Sequence, residues 1–417
     1  MSSPTTTAPV RREQVPGVRR RRVAIGIGVL ATVLVVVVAV LLVRGLGRDD
    51  TLPPVDRSVD VRDLGVVGDG STDDTEALQA AFDEAEPGTE LVVPEGVVVA
   101  HDDLLTLSTA GVVLSGGGTL LATDEERSSF TVAADDVALD GITLRIEETS
   151  RRFDAYEQQR LRIDGGTGVV LRDVVVEGSA AAGVYVGGGA SDFLLERVQV
   201  SGTEADGIHL TQGVHDGRVV EPMVRDVGDD GVAVVSYAPD GDPCARIEVV
   251  SPVVDGSSGG RGISVVGGVD ITYRDVDVRD TYAAGVYVAA EGSFDTTGVD
   301  GVLVEGGTVT GANQGEDIDH GSVLVFNGTD DEVVQDVRVE GLTIEGTRES
   351  ASREVGLVSD SDDGIQDVVL ADLVLAGDGP SRAFVSDTEG TTYRTERWTV
   401  DGDDVPDLRD EVVGTDD

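Results

Sequence analysis

Three aspartates that could act as acids, bases or metal ligands lie in two consecutive repeats of this chain. Asp206 precedes the segment that begins at Gly207, and Asp229 and Asp230 precede the equivalent segment that begins at Gly231. If these segments are stacked strands, their equivalent positions lie about 4.8 Å apart. Carboxylates held so closely repel one another, and this repulsion raises the pKa of at least one of them. A general acid beside a general base requires that difference in pKa.

The sequence also aligns other residues with these aspartates. The positions just before the repeated glycine hold Ala182, Asp206, Asp230, Arg261 and Ala284. Arg261 could therefore keep neighbouring carboxylates ionised. The outward positions of the same strands hold Tyr185, His209, Ala233, Ser264 and Tyr287. A tyrosine at each end could stack on sugar rings, although exposed tyrosines are also ordinary in strands.

Two other interpretations of the three aspartates stay open. Aspartate before glycine is common turn chemistry, and a chain with 79 acidic residues contains neighbouring aspartates without a catalytic reason. Calcium is the other candidate, because Ca²⁺ takes hard oxygen ligands. In a lyase-like site Asp206, Asp229 and Asp230 would hold the calcium ion and Arg261 would be the base. No other cofactor is expected.

The elements that must position these residues are repeated strands. The unit apolar-x-apolar-x-Gly/Asp-apolar-x-apolar recurs as VALDGITL, VVLRDVVV, FLLERVQV, ITYRDVDV, VLVEGGTV, VRVEGLTI and VVLADLVL. Each unit buries one face of its strands and cannot do so alone, so the units must stack. The pattern predicts an all-β fold, a single-stranded right-handed parallel β-helix over residues 61–400. A β-sandwich is the alternative, but the two-residue hairpin turns that it favours are scarce here.

The first coil of such a solenoid needs a cover for its open end, and the sequence supplies an amphipathic helix. Asp73 and Glu76 have the spacing of a capping box. One helical face carries Leu78, Ala81, Phe82 and Ala85. The sequence therefore predicts a capping α-helix at residues 74–85, with residues 61–100 as the cap and first coil. Residues 401–417 are expected to be an acidic C-terminal tail.

An uncharged stretch near the N-terminus predicts a membrane anchor. Residues 23–43 rise about 1.5 Å each in a helix, enough to cross a hydrocarbon core of about 30 Å. Arginines precede this stretch and Asp49 and Asp50 follow it, so the positive-inside rule places residues 1–22 in the cytoplasm and the β-helix outside the cell. Residues 44–60 form the linker. A cleaved signal peptide or a twin-arginine export signal is the alternative, but no small-residue cleavage site follows the apolar stretch.

The charge and the cysteine content limit the possible partners. The chain has a formal net charge of -48 and an isoelectric point near 4.1. Such a chain repels phosphate backbones, so nucleic acid is not an expected partner. Cys244 is the only cysteine, which excludes an intrachain disulfide and a metal site built on cysteines.

Two segments resemble known families. DLGVVGDGSTDDTEALQAAFDEA, followed by VVPEG, resembles the N-terminal signature of the pectate-lyase superfamily, the right-handed parallel β-helices of polysaccharide lyases and hydrolases. This resemblance implies the fold, because the signature serves the cap and the first coil. The motifs EADGIHL, VGDDGVAVV and GGRGISVVGG also resemble, in order and spacing, three consecutive motifs of the polygalacturonases of glycoside hydrolase family 28.

The second resemblance implies roles for individual residues. Asp229 would be the general acid that protonates the glycosidic oxygen, and Asp206 with Asp230 would activate water for inversion. One coil of rise plus a one-residue offset is expected to give the separation of about 6.5 to 9.5 Å that inversion needs. The candidates for substrate binding are Arg261, His209, Tyr185 and Tyr287.

The chain departs from the family 28 pattern at three of its positions. Arg261 stands where the family has histidine, and Tyr287 and Ala289 stand where it has an arginine and a lysine. In the family those cations bind the substrate carboxylate, so the substrate here is expected to be a neutral sugar or one held differently.

These observations together predict a protein anchored at the cell surface that acts on carbohydrate. The expected activity is that of an inverting glycoside hydrolase acting on an extracellular or envelope polysaccharide. A calcium-dependent polysaccharide lyase is one alternative. A non-catalytic module that binds polysaccharide, or an adhesin, is another, because one fold serves many functions.

Overall fold

The computed structural model describes residues 51–362 and 364–414. The anchor predicted at residues 23–43 and the basic tail before it lie outside these residues. Within the two described segments, no helix is both long enough and apolar enough to cross a membrane.

The strands stack in three parallel columns, as the repeated units predict. The third column is an 11-stranded sheet and carries the candidate site. Its strands are Leu105–Leu107, Phe130–Val132, Leu161–Asp164, Val184–Gly187, Ile208–Leu210, Val232–Val235, Ile263–Val266, Val286–Glu291, Val323–Gly328, Val355–Ser359 and Phe384–Ser386. We call this column the third sheet. Each of its strands pairs in parallel with the strand one coil earlier and the strand one coil later, where present.

The other two columns form a sheet of 25 strands, because three long strands run through both. The long strands are Gly268–Thr281, Val299–Thr310 and Val334–Glu345. The first column also contains Arg57–Asp60, Thr89–Val92, Val113–Ser115, Ala138–Asp140, Val170–Arg172, Leu194–Glu196, His215–Val220, Ala245–Val250, Ile365–Gln366, Val368–Ala371 and Tyr393–Glu396. The second contains Asp69–Asp73, Val98–His101, Thr119–Ala122, Thr143–Ile146, Val175–Ser179, Gln199–Thr203, Met223–Val227, Val253–Ser257, Val374–Ala376 and Thr399–Val400. The chain is therefore a parallel β-helix.

The core lies inside the coils. Alternate residues of each strand point inward, so Ile208, Val232 and Ile263 stack in one buried row across three coils. One continuous hydrophobic cluster extends from Val61 to Trp398. Side chains of three stacked strands must share one register, and that register determines which polar residues become neighbours outside.

The capping helix is Thr75–Glu84, one residue shorter at each end than predicted. Leu78 and Phe82 are buried, and the Phe82 ring stacks on Phe130 in the second coil of the third sheet at 5.5 Å. The predicted capping box is absent from this helix. The Asp74 carboxylate instead accepts hydrogen bonds from the backbone amides of Val67 and Gly68, both at 2.8 Å, so it fixes the entering chain.

Both predicted ends of the β-helix are corrected by the structure. The first strand, Arg57–Asp60, pairs with Thr89–Val92, so residues 57–60 belong to the β-helix and not to the linker. The predicted tail folds back on the last coil as far as it is described: Asp403–Asp404 pairs antiparallel with Thr399–Val400. Val413 packs against the core, because an open last coil needs a cover as much as the first one does.

Short 3₁₀ helices interrupt several loops. They are Val61–Leu64, Glu125–Arg127, Tyr156–Gln158, Ala238–Asp240 and Gly292–Phe294. Four of them flank strands of the third sheet: Glu125–Arg127 and Tyr156–Gln158 precede a strand, and Ala238–Asp240 and Gly292–Phe294 follow one.

Candidate active site

The structure brings Asp206, Asp229 and Asp230 together. They lie just before two consecutive strands of the third sheet, in which Ile208 pairs with Val232. One oxygen of each carboxylate lies within 4.8 Å of one oxygen of each of the others. The cluster therefore follows directly from the register of the two coils.

The separation of acid and base expected from the sequence stays a prediction. That separation, about 6.5 to 9.5 Å in inverting enzymes, is measured between whole carboxyl groups. Asp206 and Asp230 occupy equivalent positions of adjacent coils, and Asp229 is one residue from Asp230, so single oxygens of the three groups approach to within 4.8 Å.

The turn interpretation does not fit these three residues. Many aspartates of the chain do hold a left-handed turn conformation, for example Asp226 with φ of 50° and Asp173 with φ of 52°. Asp206, Asp229 and Asp230 are not among the residues with positive φ in the described segments. Their side chains make specific hydrogen bonds instead.

Asp206 and Asp230 are held by donors on both of their oxygens. Asp206 accepts from the backbone amide of Asp230 at 2.9 Å and from His209 Nδ1 at 2.5 Å. Asp230 accepts from the backbone amide of Arg261 at 2.8 Å and from Ser264 Oγ at 2.5 Å. All four bonds favour the ionised carboxylate as an acceptor.

Asp229 is held differently. Its Oδ2 accepts a hydrogen bond from Arg152 Nη1 at 2.5 Å, while its Oδ1 is the one oxygen of the cluster with no hydrogen-bond donor among the described residues. Arg152 comes from residues 147–160, the loop that precedes the third-sheet strand Leu161–Asp164 and reaches across to the later coil. A Cβ at Gly260 would lie 2.4 Å from Asp229 Oδ1, so only glycine leaves room for this carboxylate.

The environment separates the pKa values of the carboxyl groups. Burial, followed by the negative charges of Asp206 and Asp230, raises the pKa of Asp229 to about 6, although Arg152 opposes the shift. Burial also acts to raise the pKa of Asp206, but the hydrogen bond and charge of His209 outweigh it, and that pKa lies below its usual value. Neighbouring carboxyl groups with pKa values driven apart are suited to act as acid and base.

Arg261 lies beside Asp230, the third carboxylate of the cluster. Its guanidinium lies 4.2 Å over the Tyr287 ring and donates to Glu291 Oε1 at 2.7 Å, and Nη1 lies 3.6 Å from Asp230 Oδ1. Burial acts to lower the pKa of Arg261, but the carboxylates of Asp230 and Glu291 outweigh it, and the pKa lies above its usual value. An arginine held protonated in this way is poorly suited to be the base of a lyase.

The tyrosines proposed as sugar platforms are covered. Tyr287 is 2% exposed and lies between Arg261 and the His320 ring, which stacks on it at 5.2 Å. Tyr185 is 7% exposed and stacks on His209 at 5.4 Å. The structure therefore contradicts the prediction that these two rings stack on sugar, because loops carry other residues over the outward face. His209 orients Asp206 instead.

Four residues of the site were missed by the sequence analysis: Arg152, Tyr156, Tyr237 and Glu291. The pKa of Tyr237 is raised to about 12 by burial and by the charges of Asp206 and Glu291, so its hydroxyl remains a donor beside the cluster. These residues lie in loops or at strand ends outside the repeated units. The only sequence signal was the short basic and aromatic stretch RRFDAY in an otherwise acidic chain.

The three aspartates also meet the distance condition for a metal ion. The rest of the donor set does not fit one. Five of the six carboxylate oxygens already accept hydrogen bonds from described residues, and the Arg152 guanidinium supplies the positive charge beside Asp229. These hydrogen bonds and the charge of Arg152 already stabilise the ionised carboxylates, so we assign no metal step to this cluster.

The fold and the site define a pectate-lyase-like parallel β-helix protein. Residues 58–287 match the profile of a family described as rhamnogalacturonase A/epimerase, pectate lyase-like. The match covers more than half of the chain, and the protein belongs to this family. A comparison with curated proteins gave no match.

Several solved structures share the fold. An exopolygalacturonase from Thermotoga maritima has 15% identity and a TM-score of 0.59, with 86% of this chain and 95% of that one covered. The A-module of the mannuronan C-5 epimerase AlgE4 from Azotobacter vinelandii has 17% identity and a TM-score of 0.54, with 80% and 100% covered. The catalytic unit of an α-1,3-glucanase from Streptomyces thermodiastaticus has 18% identity and a TM-score of 0.57, with 84% and 69% covered. At these identities the likeness concerns the fold.

Proposed function

We propose that the protein hydrolyses glycosidic bonds in an extracellular or envelope polysaccharide, with Asp229 as the general acid. The observation that carries this proposal is the raised pKa of Asp229 beside the lowered pKa of Asp206. The family supports a carbohydrate substrate, because its description names a rhamnogalacturonase and an epimerase.

The hydrogen bonds support a different task for each carboxyl group in the proposed reaction. Asp229 carries the proton and presents Oδ1, its free oxygen, to the glycosidic oxygen, which takes the proton as the bond to the anomeric carbon breaks. Asp206, kept ionised by His209, acts with Asp230 as the base that removes a proton from the attacking water. Glu291 and Arg261 form an ion pair beside Asp230 and limit its movement.

The stereochemistry follows from where the water attacks. The resemblance of the three motifs to family 28 implies inversion, in which water attacks the face of the sugar opposite the leaving group. We propose inversion on this ground, with Asp206 and Asp230 acting on the water and not on the sugar. Proton NMR of the first product, recorded before mutarotation, gives the anomeric configuration.

The test of the activity is a screen of the full-length protein against polysaccharides with and without a chelator. New reducing ends without absorbance near 235 nm mean hydrolysis. Absorbance near 235 nm that the chelator abolishes means a calcium-dependent lyase and would replace our proposal. Binding without either product would favour the adhesin.

The test of the residues uses two variants of the site and one control. Asp229→Asn should lower kcat by about 10² to 10⁴ with little change in binding, because proton donation acts in the transition state. Asp206→Asn should have a comparable effect. Asp226→Asn is the control, since Asp226 is an exposed turn aspartate and asparagine tolerates its left-handed conformation. Full activity in both site variants would contradict the proposal.

We further propose that the β-helix works outside the cell, tethered by residues 23–43. The apolar stretch and its arginine-rich flank support this location.

A further inference from the structure

We propose that Tyr156 forms a binding subsite for a neutral sugar ring beside the catalytic cluster. This inference rests on the proposed function, and it names a part of the substrate and the residue that recognises it. The evidence consists of the exposure of Tyr156, the contacts that hold it, the cleft next to it and the charges around it.

Tyr156 is an exposed aromatic residue that is held firmly. It begins the 3₁₀ helix Tyr156–Gln158 and keeps 44% of its surface exposed. The Arg162 guanidinium lies 4.2 Å from the centre of its ring, and the Tyr185 ring meets it at 5.7 Å with an angle of 69° between the planes. Gln212 Nε2 donates to its hydroxyl at 2.8 Å. A fixed aromatic ring can pack on the C–H groups of a sugar at little entropic cost.

A series of side-chain contacts connects Tyr156 to Asp206 through Tyr185 and His209. Tyr156 meets Tyr185, Tyr185 stacks on His209, and His209 donates to Asp206 at 2.5 Å. Tyr185 and His209 are paired residues of neighbouring third-sheet strands, so they lie one coil apart. Two ring contacts, of 5.7 Å and 5.4 Å, separate Tyr156 from His209, so a sugar on Tyr156 would belong to the same bound oligosaccharide as the sugar whose bond is broken.

A cleft of about 760 Å³ adjoins Tyr156 through Gln212, although Tyr156 is not one of its lining residues. Gln212, which holds the Tyr156 hydroxyl, is one of its lining residues. The volume falls within the range of about 300 to 1,000 Å³ that small-ligand sites occupy. Glycines line part of the cleft, at Gly188, Gly189 and Gly213, so backbone groups there are accessible to a ligand.

The charges around the cleft select a neutral sugar. Asp240 and Asp242 line it and can accept hydrogen bonds from sugar hydroxyls, but they repel a carboxylate or a sulfate. Arg162 is paired with Asp164 at 2.8 Å, and Arg246, which also lines the cleft, is paired with Asp216 at 2.7 Å. A uronate would have to compete with Asp164 or Asp216 for these guanidinium groups.

The first experiment measures binding through a tryptophan placed at this position. Trp398 is the only tryptophan and is 4% exposed, so its emission should not respond to sugar. Tyr156→Trp in the Asp229→Asn protein should show quenching or a spectral shift with at least one neutral hexasaccharide of glucose, galactose, mannose or xylose. Hexagalacturonate should bind at least tenfold more weakly. An unchanged spectrum with every neutral hexasaccharide, or a preference for hexagalacturonate, would overturn the subsite.

The second experiment tests whether sugar binding requires the flat aromatic ring of Tyr156 or only an apolar side chain of similar volume. By calorimetry with the same hexasaccharide, Tyr156→Phe should bind within about threefold of the parent, and Tyr156→Leu should bind about tenfold more weakly, because leucine keeps the apolar volume but not the flat face. Equal binding by the leucine variant would refute the proposal. If that variant is poorly folded, the fluorescence of Tyr156→Trp still decides.

The two proposals fail in different ways. Hexasaccharide binding that depends on Tyr156, without release of reducing ends by the parent, would refute the hydrolase and leave the subsite. Hydrolysis with the same KM in the parent and in Tyr156→Leu would refute the subsite and leave the hydrolase.

Discussion

At the scale of single residues, the site depends on how one carboxyl group is kept protonated. Burial and two neighbouring carboxylates favour the neutral form of Asp229, whereas the hydrogen bond from Arg152 favours the ionised form. The result is a pKa of about 6. A general acid with a pKa near the operating pH is protonated in a large enough fraction of molecules and still releases its proton readily. The charge of Asp229 also acts on Arg261 and Tyr237.

Removing Arg152 should move the pH dependence of activity. Because Asp229 must be protonated, kcat/KM should be present below about pH 6 and should fall as the pH rises through that value. In Arg152→Gln the group that lowers the pKa of Asp229 is gone, so this fall should occur at a higher pH. A pH profile of kcat/KM for both proteins measures the shift.

Arg151→Gln is the matched control for this change. It removes the same charge one residue away, from a side chain that lies 4.4 Å over the Phe153 ring. Its profile should coincide with that of the parent. A fall at the same pH in Arg152→Gln and the parent would show that Arg152 does not control the acid.

At the scale of elements, the third sheet sets the positions of the aspartates and the loops decide what surrounds them. Paired strands fix Asp206 and Asp230 one coil apart, and the loop 147–160 brings Arg152 to Asp229 and Tyr156 to Tyr185. Thr149 donates to Glu204 at 2.6 Å, and the Phe153 amide donates to the Ala180 carbonyl at 2.8 Å, so this loop is attached to the coils below it.

A charge placed in the buried row of the third sheet should destabilise the folded protein. Val232 is fully buried, so Val232→Asp buries an unpaired carboxylate and should lower the free energy of unfolding by about 3 to 5 kcal/mol. Val374→Asp makes the same change in a strand valine that is 40% exposed and should cost much less. Urea titrations of both variants measure the difference. Equal losses would show that the assigned register does not control stability.

At the scale of the whole molecule, a net charge of -48 opposes the compact state. Surface ion pairs such as Arg197–Asp173 and Arg397–Asp372 offset a part of it, although exposed pairs contribute little individually. Parallel stacking of many coils must overcome this repulsion through burial of apolar surface.

Salt should therefore stabilise the protein. The screening length shortens from about 10 Å at 0.1 M to about 3 Å at 1 M salt, which weakens repulsion between coils. We expect Tm to rise with NaCl at pH 7.5 and to rise less near pH 4, where carboxylates begin to be protonated. Calorimetry at both pH values provides the comparison, and a Tm that falls with salt at pH 7.5 would mean that ion pairs outweigh the repulsion.

The proposed tether gives a second prediction at this scale. Protease added to intact cells should degrade the β-helix and spare residues 1–22, because only the latter would lie inside. Immunoblots with tags at either end distinguish the two. Release of a product trimmed near Val43 into the medium would instead indicate a cleaved signal peptide.

The sequence by itself determined the coils and the cluster of aspartates. Its period-two pattern predicted the stacked strands, the helical stripe at Leu78 and Phe82 predicted the cap, and the repeats placed Asp206 and Asp230 side by side. The physical reason is that parallel hydrogen bonding joins equivalent positions of successive repeats, so a position in the repeat is also a position in space.

Only the tertiary structure decided what surrounds the cluster. Arg152 lies 77 residues from Asp229 along the chain and meets it through the loop 147–160, which lies outside the repeated strand units. Tyr185 and Tyr287 occupy the outward positions that the sequence predicted, yet neighbouring side chains cover both rings, and Tyr156 takes the exposed place. Loop paths depend on contacts with distant coils, and no repeat of the sequence encodes those contacts.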